Sequence, residues 1–262
     1  MNRKTEKIRR THNMPLGFTL VEVMVAITIS MFLIGGLVQI YSSSKKSSLL
    51  QQSLASFQES QRFALDLLSR DLRMAGFFNQ NKPTNIKPVP KFLVGDDNSK
   101  DGGGNTSDSI TIKYEADTDC LGHNIEDGDV GYKGSPNGDN MVINTYSILN
   151  ETLYCEGNAG GGKRALIEGV VNMQVLYGED LSPFKAGEAR TADHYIHIEE
   201  ADVNDTNFER IKTVRIALLF KTNTPIKTKA ESVSYKLLDA PDITVNDKYR
   251  REVVVTTIAL RN

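Results

Sequence analysis

The residues best equipped for chemistry in this 262-residue chain are few and scattered. In "DNSKDGGGNTSD", Asp97, Ser99, Asp101, Gly102, Asn105 and Asp108 fall near the ligand positions of a calcium loop. The last ligand is Asp rather than a bidentate Glu, and neither flank reads as helix. Asp97, Asp101 and Asp108 are therefore a calcium candidate set against a plainer alternative, a solvated acidic loop. "GNAGGGKR", Gly157 to Arg164, has the glycines and lysine of a phosphate loop, but Arg164 stands where a Ser or Thr would hold magnesium. It also leads into the strand-like "RALIE", so a glycine-rich hairpin loop is the better reading. His194 and His197 are three apart in a stretch that reads as strand, which points them to opposite faces and makes a poor metal pair. His123 has no evident partner. No set of nucleophile, base and orienting group emerges, so the expectation is no catalytic residue and no cofactor.

What remains is a carboxylate in an unusual place. Glu22 is the only charge in the 24 residues from Phe18 to Tyr41, a run long enough to cross a hydrocarbon core of about 30 Å. An isolated carboxylate in hydrocarbon costs several kcal/mol, so it persists only if neutralised or paired. The plain alternative is that Glu22 sits one turn from the membrane surface and reaches water. Ahead of this run, Arg3, Lys4, Lys7, Arg9 and Arg10 outnumber the single acid Glu6, although the whole chain carries a net −2. Without residues 1–17 the remainder would stand at about −6, which argues against nucleic acid as a direct partner. A basic head before an apolar segment predicts a cytoplasmic amino terminus and export of everything after it. Cys120 and Cys155 then lie on the oxidising side and are expected to form one disulfide, stabilising the fold by roughly 4 kcal/mol in the chain-entropy model. Two unpaired buried thiols are the alternative.

The elements that must position these residues read as follows. Apolar residues recur at helical spacing through Leu50, Leu54, Phe57, Leu65, Leu68 and Leu72, with Gly76 as a stop. One helix from Phe18 to about Ala75 would be roughly 85 Å long, weakened at Gly35 and Gly36. Pro83, Pro88 and Pro90 then exclude helix. Beyond them the period becomes two: Ile110, Ile112 and Tyr114; Val171, Met173, Val175 and Tyr177; Val214, Ile216, Leu218 and Phe220; and the closing "RREVVVTTIALRN". The fold class is α+β: a long amino-terminal helix packed on an antiparallel head, with two sheets expected. The domain reading is a basic leader at 1–17, a membrane or filament-core half of the helix at 18–44, an amphipathic half at 45–78 and a β-rich head at 79–262.

A short basic leader followed by Gly17, Phe18, Thr19, Leu20, Val21 and Glu22 resembles the class III signal of type IV prepilins and pseudopilins. The resemblance implies cleavage between Gly17 and Phe18 by prepilin peptidase, N-methylation of Phe18, and an assembly role for Glu22 through the freed amino terminus. "SRDLRMAGFF", "LYCEGN" around Cys155, "LIEGVVNMQVLYGED", "IKTVRIALL" and the closing "LRN" resemble PilW-type minor pilins. Relatives often carry a tryptophan before "VRIALL"; this chain has none, and Phe208 is the expected stand-in. Taken together, the resemblance implies a type IV pilin-like fold and a subunit that primes pilus assembly in a tip or initiation complex. Its implied partners are other minor pilins, the major pilin, prepilin peptidase, the inner membrane before assembly, and a large tip adhesin of the PilY1 kind. Adhesion, twitching motility or DNA uptake would follow indirectly. The alternatives are a J-type pseudopilin of type II secretion and a membrane-anchored periplasmic ligand-binding protein.

Overall fold

The computed structural model describes residues 17–78, 91–94, 98–103, 106–125, 141–182, 191–198 and 210–260. Two compact units, Met1–Leu50 and Gln51–Asn262, divide the chain between them, and helix α1 (Leu20–Leu72) contributes to both. The helix passes through Gly35 and Gly36 without a break. It closes in a turn at Arg73–Gly76, where the sequence places its stop. Gly76 adopts φ +78°, and its N–H donates to the Lys113 carbonyl at 2.8 Å. A side chain there is doubly opposed, since its Cβ would lie 2.6 Å from Lys91 Cγ. The proline-rich segment expected after Asn79 lies outside the described residues.

In the larger unit, Phe57, Ala64, Leu68 and Leu72 form the buried stripe of the helix. Leu50, expected in that stripe, is exposed, and Ala64, which periodicity did not flag, is fully buried. Alanine carries little apolar signal, but its size suits a close approach of helix to sheet. The stripe packs against two antiparallel sheets. One has the order β1 (Ile110–Glu115), β2 (Met141–Leu149), β3 (Thr152–Gly157), β4 (Arg164–Glu168). The other runs β10 (Arg251–Ala259), β7 (Ile211–Lys221), β5 (Val170–Glu179), β6 (His194–Ile196). A third sheet, not anticipated from sequence, pairs β8 (Glu231–Tyr235) with β9 (Ile243–Asp247).

This third sheet explains why β7 is apolar on both faces. Val214, Ile216, Leu218 and Phe220 enter the main core, while Ala217 and Leu219 meet Leu237, Tyr235 and Ile243 on the opposite side. The expected face of β5 holds for Met173, Val175 and Tyr177 but not for Val171. The register shifts between Val170 and Asn172, so Val170 joins the main core and Val171 turns to the second cluster. A bulge of this kind reverses the alternation on either side of it.

Candidate functional site

Helix α1 begins at a local capping signal. Thr19 Oγ1 accepts the Glu22 N–H at 3.3 Å, and the Thr19 carbonyl accepts the Val23 N–H at 3.2 Å. Thr19-x-x-Glu22 thus has the spacing of a capping box, with Thr19 as the N-cap. Glu22 lies in the first turn, where the helix dipole favours a negative charge by about 0.3–1 kcal/mol. The carboxylate therefore has a local reason for its position. Gly17 and Phe18 stand just ahead of the helix, both exposed.

Past this cap, the first unit presents apolar surface in every direction. Sixteen large apolar residues between Phe18 and Tyr41 are exposed, Phe18 by 82% and Phe32 by 85%. At about 1.5–3 kcal/mol for each side chain buried, covering them yields tens of kcal/mol, far more than one carboxylate costs. The helix is long and apolar enough to cross a membrane by length and composition. Its hydroxyls suit that setting. Thr28 Oγ1 donates to the Val25 carbonyl at 2.8 Å and Ser30 Oγ to the Ala26 carbonyl at 2.7 Å, so neither needs water. At Gly35 and Gly36 an added Cβ would meet nothing within 4 Å. Among the described residues, no contact demands glycine there.

The head fastens its part of the helix through a polar cluster. Asp71, one residue from the helix end, accepts hydrogen bonds from Tyr114 Oη on β1, Tyr146 Oη on β2 (2.6 Å) and Asn144 Nδ2 on β2 (2.9 Å). Asn144 Nδ2 also donates to Tyr114 Oη at 3.0 Å. Burial, followed by the Asp71 charge, pushes both tyrosine hydroxyls well above their ordinary pKa, so they remain donors at any physiological pH. The Asn144 carbonyl oxygen accepts the Cys120 N–H at 3.0 Å. Cys120 is bonded to Cys155 on β3 in the expected disulfide. No sequence signal singles out Asp71, Asn144 or Tyr146, because each is an ordinary residue at its own position and the cluster exists only in space.

The remaining candidates resolve into structural contacts. Asp108 is buried, and its two carboxylate oxygens accept the N–H groups of Gly102 (2.9 Å) and Val175 (2.7 Å). Ser107 and Asp108 also bond Met173, so this segment occupies the side of β5 that the short β6 leaves uncovered. Burial pushes the Asp108 carboxyl up to about 6, against the pull of the two N–H groups. Asp101 Oδ1 accepts the Gly103 N–H at 2.8 Å, and Asp97 lies outside the described residues. Among the described residues, no group of three or more His, Cys, Asp and Glu side chains is arranged to hold a metal. His194 and His197 meet different carboxylates: Glu179 at 2.9 Å for the first, Asp101 at 3.1 Å and Asp239 at 2.5 Å for the second. The phosphate-loop-like stretch is the connection between β3 and β4, and His123 Nδ1 stands 3.1 Å from the Gly160 carbonyl within it.

Residues 137–262 match the family model described as Type IV Pilus-assembly protein W, and residues 15–38 match the Prokaryotic N-terminal methylation motif. A search of curated proteins finds no match. Among solved structures, the chain is similar to a type IV-like pilin from Thermus thermophilus at 14% identity and a TM-score of 0.40. The likeness covers 78% of this chain and 94% of that one.

Proposed function

We propose that this chain, a type IV pilin-like minor pilin of the PilW family, primes pilus assembly and resides in the initiating or tip complex with other minor pilins. The observation that carries the reading is the capped, exposed apolar first half of helix α1, residues 20–41, with one carboxylate in its first turn. Such a helix is stable only in lipid or against other helices of its kind. Moving from the first environment to the second is the event that builds a filament. In this reading the basic leader stays in the cytoplasm, the helix rests in the inner membrane and the disulfide-bonded head faces the periplasm. Prepilin peptidase cuts between Gly17 and Phe18 and methylates the new amino terminus.

Glu22 then lies four residues beyond a free amine. Pairing with the ammonium of Phe18, its own or that of a neighbouring subunit, offsets the cost of carrying the carboxylate into the filament core. The first subunits have no neighbours to cover their helices, so a small set of minor pilins that cover one another lowers the barrier to starting. The head serves as a contact surface, and the role is structural rather than enzymatic. The major pilin and a tip-located adhesin are its further partners.

Mass spectrometry of the protein from membranes and from sheared pili tests this reading. The expected result is a mature chain starting at N-methylated Phe18 in both fractions, with Glu22→Ala retained in the membrane and missing from pili. A chain starting upstream of Phe18, or Glu22→Ala present in pili at the normal level, contradicts it. Absence of the wild-type chain from sheared pili likewise contradicts it and favours an anchored periplasmic binding protein.

A further inference from the structure

The disulfide and the helix clamp share one residue. In the register of the first sheet, Tyr146 opposes Cys155 and Asn144 opposes Gly157, so the Cys120–Cys155 bond arches over β2 at the point where β2 holds the helix. Asn144 is fully buried. Its carbonyl oxygen is held by the Cys120 N–H at 3.0 Å, which turns its amide nitrogen toward Asp71 at 2.9 Å. Among the described residues, the Cys120 N–H makes the loop's hydrogen bond to β2. Asp119 Oδ1 accepts the N–H groups of Leu121 and His123 within the loop itself, each at 2.9 Å, while Asp119 Oδ2 is buried with no hydrogen bond among the described residues and the His123 ring 3.6 Å away. The bond to Cys155 is the covalent tie that holds Cys120 beside Asn144, alongside the His123 contact with the Gly160 carbonyl and Ile125 in the core.

We propose that the Cys120–Cys155 bond is a redox-sensitive latch: oxidation sets Asn144 to clamp Asp71 at the end of α1, and reduction loosens that end while the second sheet stays folded. Closing the latch removes two protons and two electrons from the thiols and passes them to the disulfide of a protein oxidant, which becomes a dithiol. Opening it reverses the exchange with an external dithiol. The inference rests on the proposed export only for the compartment in which the latch closes. There, a chain still exposed to a reducing environment would carry a loosely held helix end, and an oxidised chain would carry a fixed one.

Hydrogen exchange read by mass spectrometry on the full chain in detergent, oxidised and then treated with dithiothreitol, tests the latch without any pilus readout. The expected result is about tenfold faster exchange at Leu68–Phe77 on reduction, with the amides of β5 and β7 unchanged. Asn144→Ala should speed the same helix peptides in the oxidised chain, and adding reductant to that variant should change them little further. Cys120→Ser/Cys155→Ser supplies the same comparison without reductant. Three outcomes overturn the latch: unchanged exchange at the helix end on reduction, a rise confined to residues 117–125 and 152–157, or an equal rise across β5 and β7. The last would assign the bond to global stability alone.

Discussion

Replacing Asp71 with alanine probes how the head holds its helix. The substitution removes the acceptor of three hydrogen bonds, from Tyr114, Tyr146 and Asn144. Asn144 Nδ2 keeps a bond to Tyr114 Oη, so two hydroxyl donors lose their main partner inside the fold. A buried polar group left unsatisfied costs about 1–3 kcal/mol, which puts the loss near 2–6 kcal/mol for the pair. Asp71 is only partly buried, so its own return to water gives some of this back, and the expected net loss is about 3 kcal/mol. Tyr146→Phe leaves the carboxylate with two donors and should cost only about 1 kcal/mol. Urea unfolding of the detergent-solubilised chain, followed by circular dichroism, measures both. In the double variant the Tyr146→Phe cost should largely vanish, because its partner is already gone. A loss below 1 kcal/mol for Asp71→Ala, or full additivity with Tyr146→Phe, would refute the clamp.

Three further expectations concern the head. The Asp108 carboxyl at about 6 lies above its ordinary 3.8, so the folded state holds the proton more tightly than the unfolded state. Its contribution to stability is greatest below pH 4, falls by up to about 3 kcal/mol as pH rises to 6, and is flat beyond. Denaturation midpoints between pH 4 and 8 should show this slope in the wild type and lose it in Asp108→Asn; parallel profiles would contradict the assignment. Tyr114 and Tyr146, both raised, should make stability fall as pH climbs past 10, where only the unfolded tyrosines ionise freely; Tyr114→Phe/Tyr146→Phe should flatten that fall. Gly76→Ala should cost at least 1 kcal/mol, since it meets both a positive φ and Lys91; a midpoint within error of wild type would show that the turn relaxes.

Much of the architecture was legible because it rests on local periodicity. The helix, its stop at Gly76, the faces of β1 and β7, the β3–β4 hairpin and the disulfide all follow from spacing, turn residues or compartment. The errors have physical causes. Val171 changes face because one bulge in β5 leaves no trace in composition. The β8–β9 sheet escaped notice because its strands are short and half polar, with an apolar contribution to β7 visible only in the assembled fold. Leu50 and Ala64 exchange places because periodicity weighs size, whereas the helix face is set by which residues meet the sheets. At the amino terminus the residues of the processing and assembly expectation, Gly17, Phe18 and Glu22, lie within six positions of one another, so a line of letters can single them out. Thr19 belongs to the same short stretch and was readable as the partner of Glu22 in a capping box. Asp71 and Asn144 are 73 positions apart, and nothing local marks either as half of a contact.

Priming of pilus assembly is the proposed role. Counting surface pili in a clean deletion strain, with the retraction motor present and then disabled, tests it most directly. Priming predicts loss of pili in the first background and partial return in the second, because rare unaided initiations accumulate once retraction stops. Normal pilus numbers in both backgrounds would contradict priming and turn attention to a secretion system.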